Sequence, residues 1–290
     1  MEIQKSFRTS EYGILYIVPT PIGNLEDMTF RAVRILTEAA KIAAEDTRNT
    51  KKLLSHFDIH TPLISYHEHN KHVRENELMD VLENGQDLAV VSDAGMPGIS
   101  DPGYDLIQAA IHRNIPVVVL PGANAALCAL VGSGLETEHF HFYGFLPRKK
   151  KDRDQELEAL KGFRSTLVFY ESPHRLKETL KGLQGVFGNR KAALSRELTK
   201  RYEEYVRGSL AEALEWAENN ELRGEFCIVV EGNKEEVAEH ILWWSSLSVI
   251  EHVEHYIKEK DYSSKQAIKQ VASDRKLPKR EVYQVYHVGD

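Results

Sequence analysis

The residue types best suited to binding a ligand are concentrated in one loop, VSDAGMPGISDPG at Val91–Gly103. The loop follows an apolar run of strand length and precedes a helical pattern, yet it is longer than the roughly 2–6 residues that such a connection needs. Asp93 stands at the carboxyl end of the predicted strand, where it can accept hydrogen bonds from a ligand amine or hydroxyl. Gly95 and Gly98 let the backbone approach a ligand closely. The composition therefore predicts a binding loop.

Two further loops follow predicted strands. In Ile17–Asn24, Pro19 and Pro21 fix the backbone and remove two N–H donors. This loop would present carbonyl groups to a ligand with donors or positive charge, although an ordinary turn explains it equally well. The small residues of Leu120–Ala126 would let a flat ligand lie against the backbone, or would simply pack on the sheet. Neither G-x-G-x-x-G nor G-x-x-x-x-G-K-S/T occurs, which disfavours a dinucleotide site and a P-loop.

A carboxylate and an arginine stand close together at the end of the second predicted strand, in Glu45-Asp46-Thr47-Arg48. Asp46 can take a proton from a reacting hydroxyl, and Arg48 can hold a phosphate through two hydrogen bonds. Alternatively, Asp46 or Thr47 caps the helix that follows and has no catalytic duty. The residue types alone favour neither interpretation.

Three histidines and a glutamate in His67–His72 are residue types that bind zinc. Their spacing does not match H-E-x-x-H, and a strand would place His67 and His69 on one face without His72. We therefore expect a polar contact loop here and no metal site.

The elements that position these loops alternate along the chain. Apolar runs of strand length, beginning with Gly13–Pro19, alternate with segments of helical period, beginning with Thr29–Ala40. Further strands are predicted at Ile42–Ala44, Leu63–Ser65, Leu88–Ser92 and Val117–Leu120, and helices at Thr50–His56, Arg74–Glu83, Tyr104–His112 and Asn124–Val131. The fold class is therefore α/β, with a mostly parallel sheet covered on both faces and functional loops at the carboxyl ends of its strands.

The second half of the chain begins with a proline and a basic run, which predict a linker within Gly144–Arg153. A second α/β unit follows over Thr166–Glu231, and its last strands are antiparallel because the connection from Ser195 to Tyr205 is too short for a helical crossover. The remaining pattern is helical, and the segment from Ser263 onward resembles a helix-turn-helix. We expect an N-terminal α/β domain at 1–146, a C-terminal α/β domain at 147–233 and a helical extension at 234–290.

The overall composition is that of a soluble globular protein, with 42% hydrophobic and 28% charged residues in a chain of 290. No run is long and apolar enough to span a membrane, and no leader pattern is present, so we expect a cytoplasmic protein without membrane partners. Cys128 and Cys227 both lie in apolar stretches, as buried thiols do in a reducing compartment.

The charge is distributed unevenly. The net charge of −7 argues against a protein that coats nucleic acid through bulk positive charge. Residues 263–290, however, include six basic and three acidic residues, so the tail is basic while the rest of the chain is acidic. A local patch is enough to neutralise phosphates, and the tail helices and Arg148–Lys151 are the predicted contacts if the chain binds nucleic acid.

Six motifs, TPIGNL, EDTRNT, VSDAGMPGISDPG, PGANAA, FYESPHR and GEFCIVVEG, occur in this order over nearly the whole chain. Together they resemble the tetrapyrrole methylase superfamily, and within it the bacterial branch that acts on ribosomal RNA. Any one motif alone would be a weak signal, whereas the six in order are specific. The resemblance implies a two-domain α/β protein, usually a homodimer, that binds S-adenosylmethionine in a cleft between its domains.

The same resemblance implies an enzyme that methylates the ribose 2′-oxygen of a cytidine in the decoding centre of 16S rRNA, with the small ribosomal subunit or its RNA as partner. In such an enzyme Asp46 would be the catalytic base and Arg48 a contact to an RNA phosphate. The 234–290 extension would contact RNA. The positions that match the family's cofactor-binding residues are Pro21, Asp93, Ala94, Gly95, Ile99, Ser100, Ala125, Ala126, Tyr170, Glu171, Arg196, Gly224, Glu225 and Phe226.

One departure from the family pattern concerns the substrate. Most tetrapyrrole enzymes have Gly-Asp-Pro where this chain has Ser92-Asp93-Ala94, which favours RNA over a corrin or porphyrin. Two alternatives remain open: a methyltransferase that acts on a tetrapyrrole carbon, and a non-catalytic ribosome-binding protein that keeps the fold as a scaffold.

Overall fold

The computed structural model describes residues 3–6, 11–234, 244 and 247–287. The chain divides into two compact units, Met1–Asn233 and Lys234–Asp290. The first unit contains both β-sheets, and the described part of the second is helical. None of the helices in these described ranges has the length and apolar character needed to cross a membrane.

The first sheet is built from strands β1 (Leu15–Ile17), β2 (Lys41–Ala44), β3 (Leu63–Ser65), β4 (Leu88–Val91) and β5 (Val117–Val119). Its helices are α1 (Phe30–Glu38), α2 (Thr47–His56), α3 (Lys71–Glu83), α4 (Tyr104–His112) and α5 (Ala125–Ser133). The strand order is β3-β2-β4-β1-β5, and every pair is parallel. The predicted α/β class with a parallel sheet is confirmed.

Both faces of this sheet are covered by helices. In β4, Leu88 and Val90 pack with α3 and α4, whereas Ala89 and Val91 pack with α1 and α2. Successive side chains of a strand point to opposite faces, so a strand covered on both faces must be apolar throughout. All four residues of β4 are buried accordingly. Polar side chains are thereby restricted to the strand ends and the loops that follow them.

The second sheet is built from β6 (Phe140–Phe145), β7 (Thr166–Glu171), β8 (Lys191–Arg196), β9 (Glu204–Ser209) and β10 (Phe226–Val230), with helices α6 (Lys150–Leu160), α7 (Leu176–Phe187) and α8 (Leu210–Asn219). The strand order is β6-β7-β10-β8-β9. β6 is parallel to β7, and the other pairs are antiparallel. The antiparallel pairing of β8 with β9 confirms the expectation from their short connection.

Helix α5 joins the two halves of this unit. It follows β5 of the first sheet, but its buried residues Ala126, Ala129 and Leu130 pack against β7 and β10 of the second sheet. The opposite face of the second sheet is covered by α6, α7 and α8. The start of α5 therefore lies where the loops of the first sheet meet the strands of the second.

Among the described strands and α-helices, β6 and α6 were not predicted. Residues 144–153, expected to form a linker, contain the end of β6 and the first turn of α6. The β6 strand buries only Gly144 and has no clear alternation, and α6 buries only Arg153, Leu157 and Leu160. Both therefore lack the apolar period on which sequence-based assignment depends.

Strand β6 contains a bulge. Phe142 and Gly144 pair with consecutive residues of β7, so Tyr143 is an extra residue in the strand. Beyond the bulge, Phe145 lies on the same face as Phe142, and both rings contact Tyr170, with ring centroids 5.6 and 4.9 Å away.

The C-terminal unit contains α9 (Val249–Lys260), α10 (Ser264–Asp274) and α11 (Lys279–His287). Its core is formed by apolar residues of all three helices, among them Val253, Ile268 and Val282. The two short helices expected in the tail are confirmed as α10 and α11. Within the predicted 234–290 extension, residues 235–243, 245–246 and 288–290 lie outside the described residues.

Replacement of Leu36 by alanine should destabilise the first unit. Leu36 is fully buried between α1 and the sheet, so its truncation leaves a cavity and should cost about 2–5 kcal/mol. Phe30 on the same helix is 97% exposed, and Phe30→Ala is a matched control that should change stability by less than about 0.5 kcal/mol. Urea unfolding followed by circular dichroism measures both, and equal effects would contradict the packing described for α1.

Candidate functional site

A cavity of about 330 Å³ lies where loops at the carboxyl ends of the first sheet meet the ends of β7, β8 and β10. Its size is in the usual range for small-molecule sites. The lining residues from the first half are Ile22, Asp93, Ala94, Gly95, Met96, Ile99, Ser100, Asp101, Asn124 and Ala125. Those from the second half are Phe145, Tyr170, Glu171, Ser172, Pro173, Ser195, Glu197, Leu198, Lys200, Glu225, Phe226 and Cys227. Most of the predicted cofactor positions line the cavity, but Pro21, Ala126, Arg196 and Gly224 do not.

The proline loop is bonded to the glycine-rich loop. The Thr20 N–H donates to the Gly95 carbonyl and the Gly95 N–H donates to the Thr20 carbonyl, both at 2.9 Å. The Thr20 hydroxyl also donates to the Ser92 carbonyl at 3.1 Å. Gly95 has a φ of +78°, which glycine adopts without strain. The Thr20 carbonyl is therefore engaged within the protein and is not available to a ligand.

Asp46 is the N-cap of α2. Its carboxylate accepts a hydrogen bond from the Arg48 N–H at 2.9 Å and two from the Arg48 guanidinium at 3.1 and 2.8 Å. These bonds lower the pKa of Asp46 to about 2. Neither residue lines the cavity. This geometry shows the helix cap of the second interpretation, and the role of Asp46 as a base stays a prediction.

Asp93 connects the end of β4 to the start of α2. One carboxylate oxygen accepts the Asp46 N–H at 3.1 Å, and the other accepts the Asn49 side-chain amide at 3.3 Å. Each carboxylate oxygen can accept more than one hydrogen bond, and Asp93 also lines the cavity. It therefore keeps acceptor capacity for a ligand.

Tyr170 connects the two halves of the cavity. Its hydroxyl oxygen accepts the Ala126 N–H at 3.2 Å, and burial raises the pKa of this phenol. Ala126 thus helps to position the lining residue Tyr170 and does not itself line the cavity. The neighbouring Glu171 carboxylate is fully buried and accepts the Ser172 N–H at 2.8 Å and the Thr179 hydroxyl at 2.6 Å. The acceptor groups of Glu171 are therefore used by residues at and before the start of α7.

The end of β8 presents Ser195 to the cavity rather than Arg196. The Arg196 guanidinium lies 2.6 Å from the Glu204 carboxylate and 5.4 Å from the centre of the Trp216 ring. Consecutive strand residues face opposite sides of the sheet, so Ser195 lines the cavity. Its Oγ is buried and has no hydrogen-bond partner in the part of the chain that the structure describes. The cavity-facing residue is thus one position earlier than predicted.

Gly224 does not line the cavity but lies next to the lining residues Glu197 and Glu225. Its φ is +77°, and a Cβ at this position would stand 2.2 Å from Glu197 Oε1. The next residue, Glu225, donates its N–H to the same Glu197 oxygen at 3.3 Å. Gly224 therefore allows the backbone to approach Glu197 closely, while Glu225 reaches the cavity.

The cavity has more carboxylates than cations. The acidic lining residues are Asp93, Asp101, Glu171, Glu197 and Glu225. Among the described lining residues Lys200 alone is basic, and its amine lies 2.9 Å from Glu197 and 3.7 Å from Glu225. Burial, then the nearby charge of Glu45, raises the pKa of Asp101 to about 6. Burial also raises the pKa of Glu45, so negative charge is crowded at this end of the sheet.

The histidine-rich segment follows β3 as a turn rather than a strand. The His67 N–H donates to the Asn70 side chain at 2.8 Å, and the His67 and His69 rings are 6.0 Å apart. In the described ranges, the clustered metal-ligand types are Glu136, Glu138 and His139, which are exposed and do not line the cavity.

Among the lining residues that were not predicted, Asp101, Ser195 and Lys200 have polar side chains that bear on ligand binding. Asp101 lies in the loop first singled out, and a second aspartate in so polar a loop was a usable signal. Ser195 could have been found from strand alternation, because Arg196 and Ser195 cannot face the same side. Nothing in the sequence pattern around Lys200 indicates its place at the cavity.

Comparisons with known proteins agree with this architecture. The family described as Tetrapyrrole (Corrin/Porphyrin) Methylases matches residues 14–214. Ribosomal RNA small subunit methyltransferase I of Halalkalibacterium halodurans is 58% identical over 288 residues, which cover 99% of both chains. The protein of the same name from Bacillus subtilis is 55% identical over 287 residues, or 98% of both chains.

Solved structures share the fold. Uroporphyrin-III C-methyl transferase from Thermus thermophilus, complexed with S-adenyl homocysteine, superimposes with a TM-score of 0.55 at 20% identity and covers 76% of this chain and 97% of that one. The resemblance inferred from the six motifs is confirmed by these matches. This chain belongs to the tetrapyrrole (corrin/porphyrin) methylase family.

Proposed function

We propose that this protein transfers a methyl group from S-adenosylmethionine to the ribose 2′-oxygen of a cytidine in the decoding centre of 16S rRNA. The observation that supports it most directly is the acidic cavity, in which five carboxylates face one lysine. S-adenosylmethionine has a sulfonium and an ammonium group, and opposite charges nearby favour such cations. Relatives at 58% and 55% identity are named ribosomal RNA small subunit methyltransferase I, which supports ribosomal RNA as the substrate class.

The residues proposed to hold the donor are those that line the cavity. Asp93 and the loop positions Ala94, Gly95, Ile99 and Ser100 would form one side. Ala125, Tyr170, Glu225 and Phe226 would form the other. The unpartnered Ser195 hydroxyl supports this assignment, because a buried polar atom without a partner is expected to bond to a ligand.

Bound S-adenosylmethionine would supply the electrophilic methyl group. The residues of this chain would then orient the acceptor hydroxyl, exclude water and receive its proton. The apolar lining from Phe145, Leu198 and Phe226 restricts water at the cavity walls. Catalysis here would consist mainly of positioning two substrates in one small space.

The surfaces proposed to contact RNA are basic and exposed. In the C-terminal unit they are Lys265, Lys269, Lys276, Lys279 and Arg280. Arg275 is excluded, because its guanidinium donates to the Trp244 carbonyl at 3.2 Å and to His252 Nδ1 at 3.1 Å. Arg148–Lys151, at the start of α6, and the exposed Arg48 guanidinium are further proposed contacts.

We also propose that the protein is a homodimer. Helix α5 has the sequence AALCALVGS and is apolar on all sides, yet Val131 is 72% exposed and Leu127 is 49% exposed. A helix that is apolar all round is normally buried, so a second copy of the chain is the proposed cover for this face.

The methylation proposal predicts a specific chemical product. Purified protein, S-adenosylmethionine and small ribosomal subunits from cells that lack this protein should yield one ribose-methylated cytidine in the decoding centre. Mass mapping of nuclease fragments identifies the site. Methylation of a porphyrinogen in place of RNA would favour the tetrapyrrole alternative, and absence of donor binding in calorimetry would favour the non-catalytic one.

Ser195→Ala should weaken binding of S-adenosylhomocysteine by about 2- to 12-fold, the effect of losing one hydrogen bond. It should not lower the melting temperature, because the hydroxyl has no partner in the protein. Ser133→Ala is the control, since the Ser133 hydroxyl donates to the Leu130 carbonyl at 2.6 Å and does not line the cavity. Isothermal titration calorimetry compares them, and equal affinities for both variants would remove Ser195 from the site.

Replacing Lys276, Lys279 and Arg280 together by glutamine should weaken RNA binding and its dependence on salt. If each side chain contacts a phosphate, the slope of log affinity against log salt should fall by about 2 to 3. Lys258→Gln serves as the control, because Lys258 pairs with Glu254 at 2.7 Å on α9. Filter binding at several salt concentrations gives the slopes, and an unchanged slope in the triple variant would exclude this patch.

A further inference from the structure

The turn between β8 and β9, residues 197–203, joins the cavity wall to an exposed surface. Glu197 and Lys200 line the cavity, whereas Arg201 and Tyr202 do not. Arg201 is exposed, and Tyr202 is 70% exposed. A large molecule whose reacting group enters the cavity would therefore meet these two side chains just outside it.

Hydrogen bonds within the turn fix its backbone. The Lys200 N–H donates to the Glu197 carbonyl at 3.0 Å, and the Glu203 N–H donates to the Lys200 carbonyl at 3.1 Å. The Thr199 N–H donates to the Glu203 carboxylate at 2.7 Å. Glu197 and Thr199 have φ values of +51° and +65°, which are uncommon for residues with a side chain. Backbone conformations of this kind persist mainly at functional sites.

The loop after β1 packs against the same turn. A Cβ on Gly23 would stand 2.3 Å from Lys200 Cγ, so the backbone of that loop lies directly against the lysine side chain. The Lys200 amine lies 2.9 Å from Glu197 and 3.7 Å from Glu225. Because the charge of Lys200 is used within the wall, the neighbouring cation that remains available to a partner is Arg201.

Arg201 and Tyr202 form an arginine–aromatic pair, with the guanidinium carbon 5.7 Å from the ring centre. In the part of the chain that the structure describes, no hydrogen bond or salt bridge engages the Arg201 guanidinium. The guanidinium groups of the other described pairs are all bonded to protein groups: Arg190 to Lys161, Arg196 to Glu204, Arg207 to Gly132 and Arg275 to Trp244. The turn therefore presents an exposed ring beside a cation that the protein itself does not use.

We propose that Arg201 and Tyr202 bind a nucleotide next to the acceptor cytidine in the RNA strand. The inference rests on the proposed function. Unpaired RNA bases stack on exposed aromatic side chains, and a guanidinium can hold a phosphate through two hydrogen bonds. The base of this nucleotide stacks on the Tyr202 ring, and one of its phosphates binds Arg201. The acceptor ribose enters the cavity while its neighbour stays outside.

The distribution of charge supports an RNA strand as the partner at this turn. The cavity beside the turn is lined by five carboxylates, which repel phosphates. Arg201 lies outside that cluster and attracts them. An RNA backbone is therefore favoured at the surface and disfavoured inside the cavity, where the cationic donor is favoured. This pattern suits a strand that inserts a single nucleotide.

The test measures binding of small ribosomal subunits from cells that lack this protein, by filter binding at several salt concentrations with S-adenosylhomocysteine present. Tyr202→Ala should weaken binding by about 5- to 150-fold, the effect of one lost base stack, and should leave the salt dependence unchanged. Tyr202→Phe keeps the ring and should lose less than about threefold. Arg201→Gln should reduce the slope of log affinity against log salt by about 0.7, the value for one phosphate of a single strand.

Two matched controls lie at the opposite end of the same sheet. Lys191 is exposed at the start of β8, and Lys191→Gln is the control for Arg201→Gln. Phe140 is 43% exposed at the start of β6, and Phe140→Ala is the control for Tyr202→Ala. Both control variants should bind small subunits as wild type does, with the same salt slope.

Two further measurements distinguish an RNA contact from a structural role. Melting temperatures of the Arg201 and Tyr202 variants should change by less than about 2 °C, because both side chains are exposed. Calorimetry should give the wild-type affinity for S-adenosylhomocysteine, because neither residue lines the cavity. In methylation assays the loss should appear in the KM for small subunits rather than in kcat, as expected for a contact made equally before and during the reaction.

The outcomes separate the two proposals. Wild-type protein that methylates no ribose contradicts the proposed function and with it this inference. An active wild type whose Tyr202→Ala and Arg201→Gln variants bind subunits equally well contradicts the role of the turn alone. Equal losses in Tyr202→Ala and Tyr202→Phe would exclude base stacking. A changed elution volume in size-exclusion chromatography, with unchanged affinity for subunits, would make the turn an interface between copies of this chain and would also overturn the inference.

Discussion

Like-charge repulsion around the half-buried carboxylates of Glu45 and Asp101 is the constraint on which the cavity depends. Asp93 and Asp101 face one cavity, Glu45 lies beside them, and the nearest lining cation, Lys200, is shared between Glu197 and Glu225. Such an arrangement destabilises the folded state, since burial and neighbouring negative charges both favour protonation. Strained or repulsive features of this kind persist at functional sites, where a ligand relieves them. A positively charged donor would do so here.

The rest of the first unit keeps these groups in place. The reciprocal bonds between Thr20 and Gly95 tie the loop after β1 to the loop after β4. The bond from Ala126 to Tyr170 ties the start of α5 to the second sheet. Because α5 packs on the second sheet, the cavity has walls from both sheets. The parallel strands contribute through their position: their carboxyl ends meet at one edge, so residues far apart in sequence converge.

The sequence predicted the framework well and the side-chain roles less well. Strands β1 to β5 are short, apolar and separated by amphipathic helices, and such patterns determine element type directly. Helix α6 escaped prediction because its surface is almost wholly charged. The choice between base and cap for Asp46 could not be made, since both roles use the same carboxylate at a strand end. The hydrogen bonds to Arg48 show that Asp46 caps α2, and its role as a base stays a prediction. Arg196 was selected because the family resemblance matches it to a cofactor-binding position, although the pleat of β8 turns it towards Trp216.

The extra residue in β6 has a consequence for how this family can tolerate insertions and deletions. In a regular strand, Phe142 and Gly144 would share a face and Phe145 would lie on the opposite one. Tyr143 shifts the phase of the strand, so Phe145 joins Phe142 on the side of Tyr170. Deletion of Tyr143 would leave Gly144 opposite Phe169 and Phe145 opposite Tyr170, so the aromatic wall would remain. Pairing the present sequence without a bulge would instead place Gly144 opposite Tyr170 and exchange an aromatic wall for glycine. The extra residue and the bulge must therefore be gained or lost together if β6 is to keep the same cavity wall.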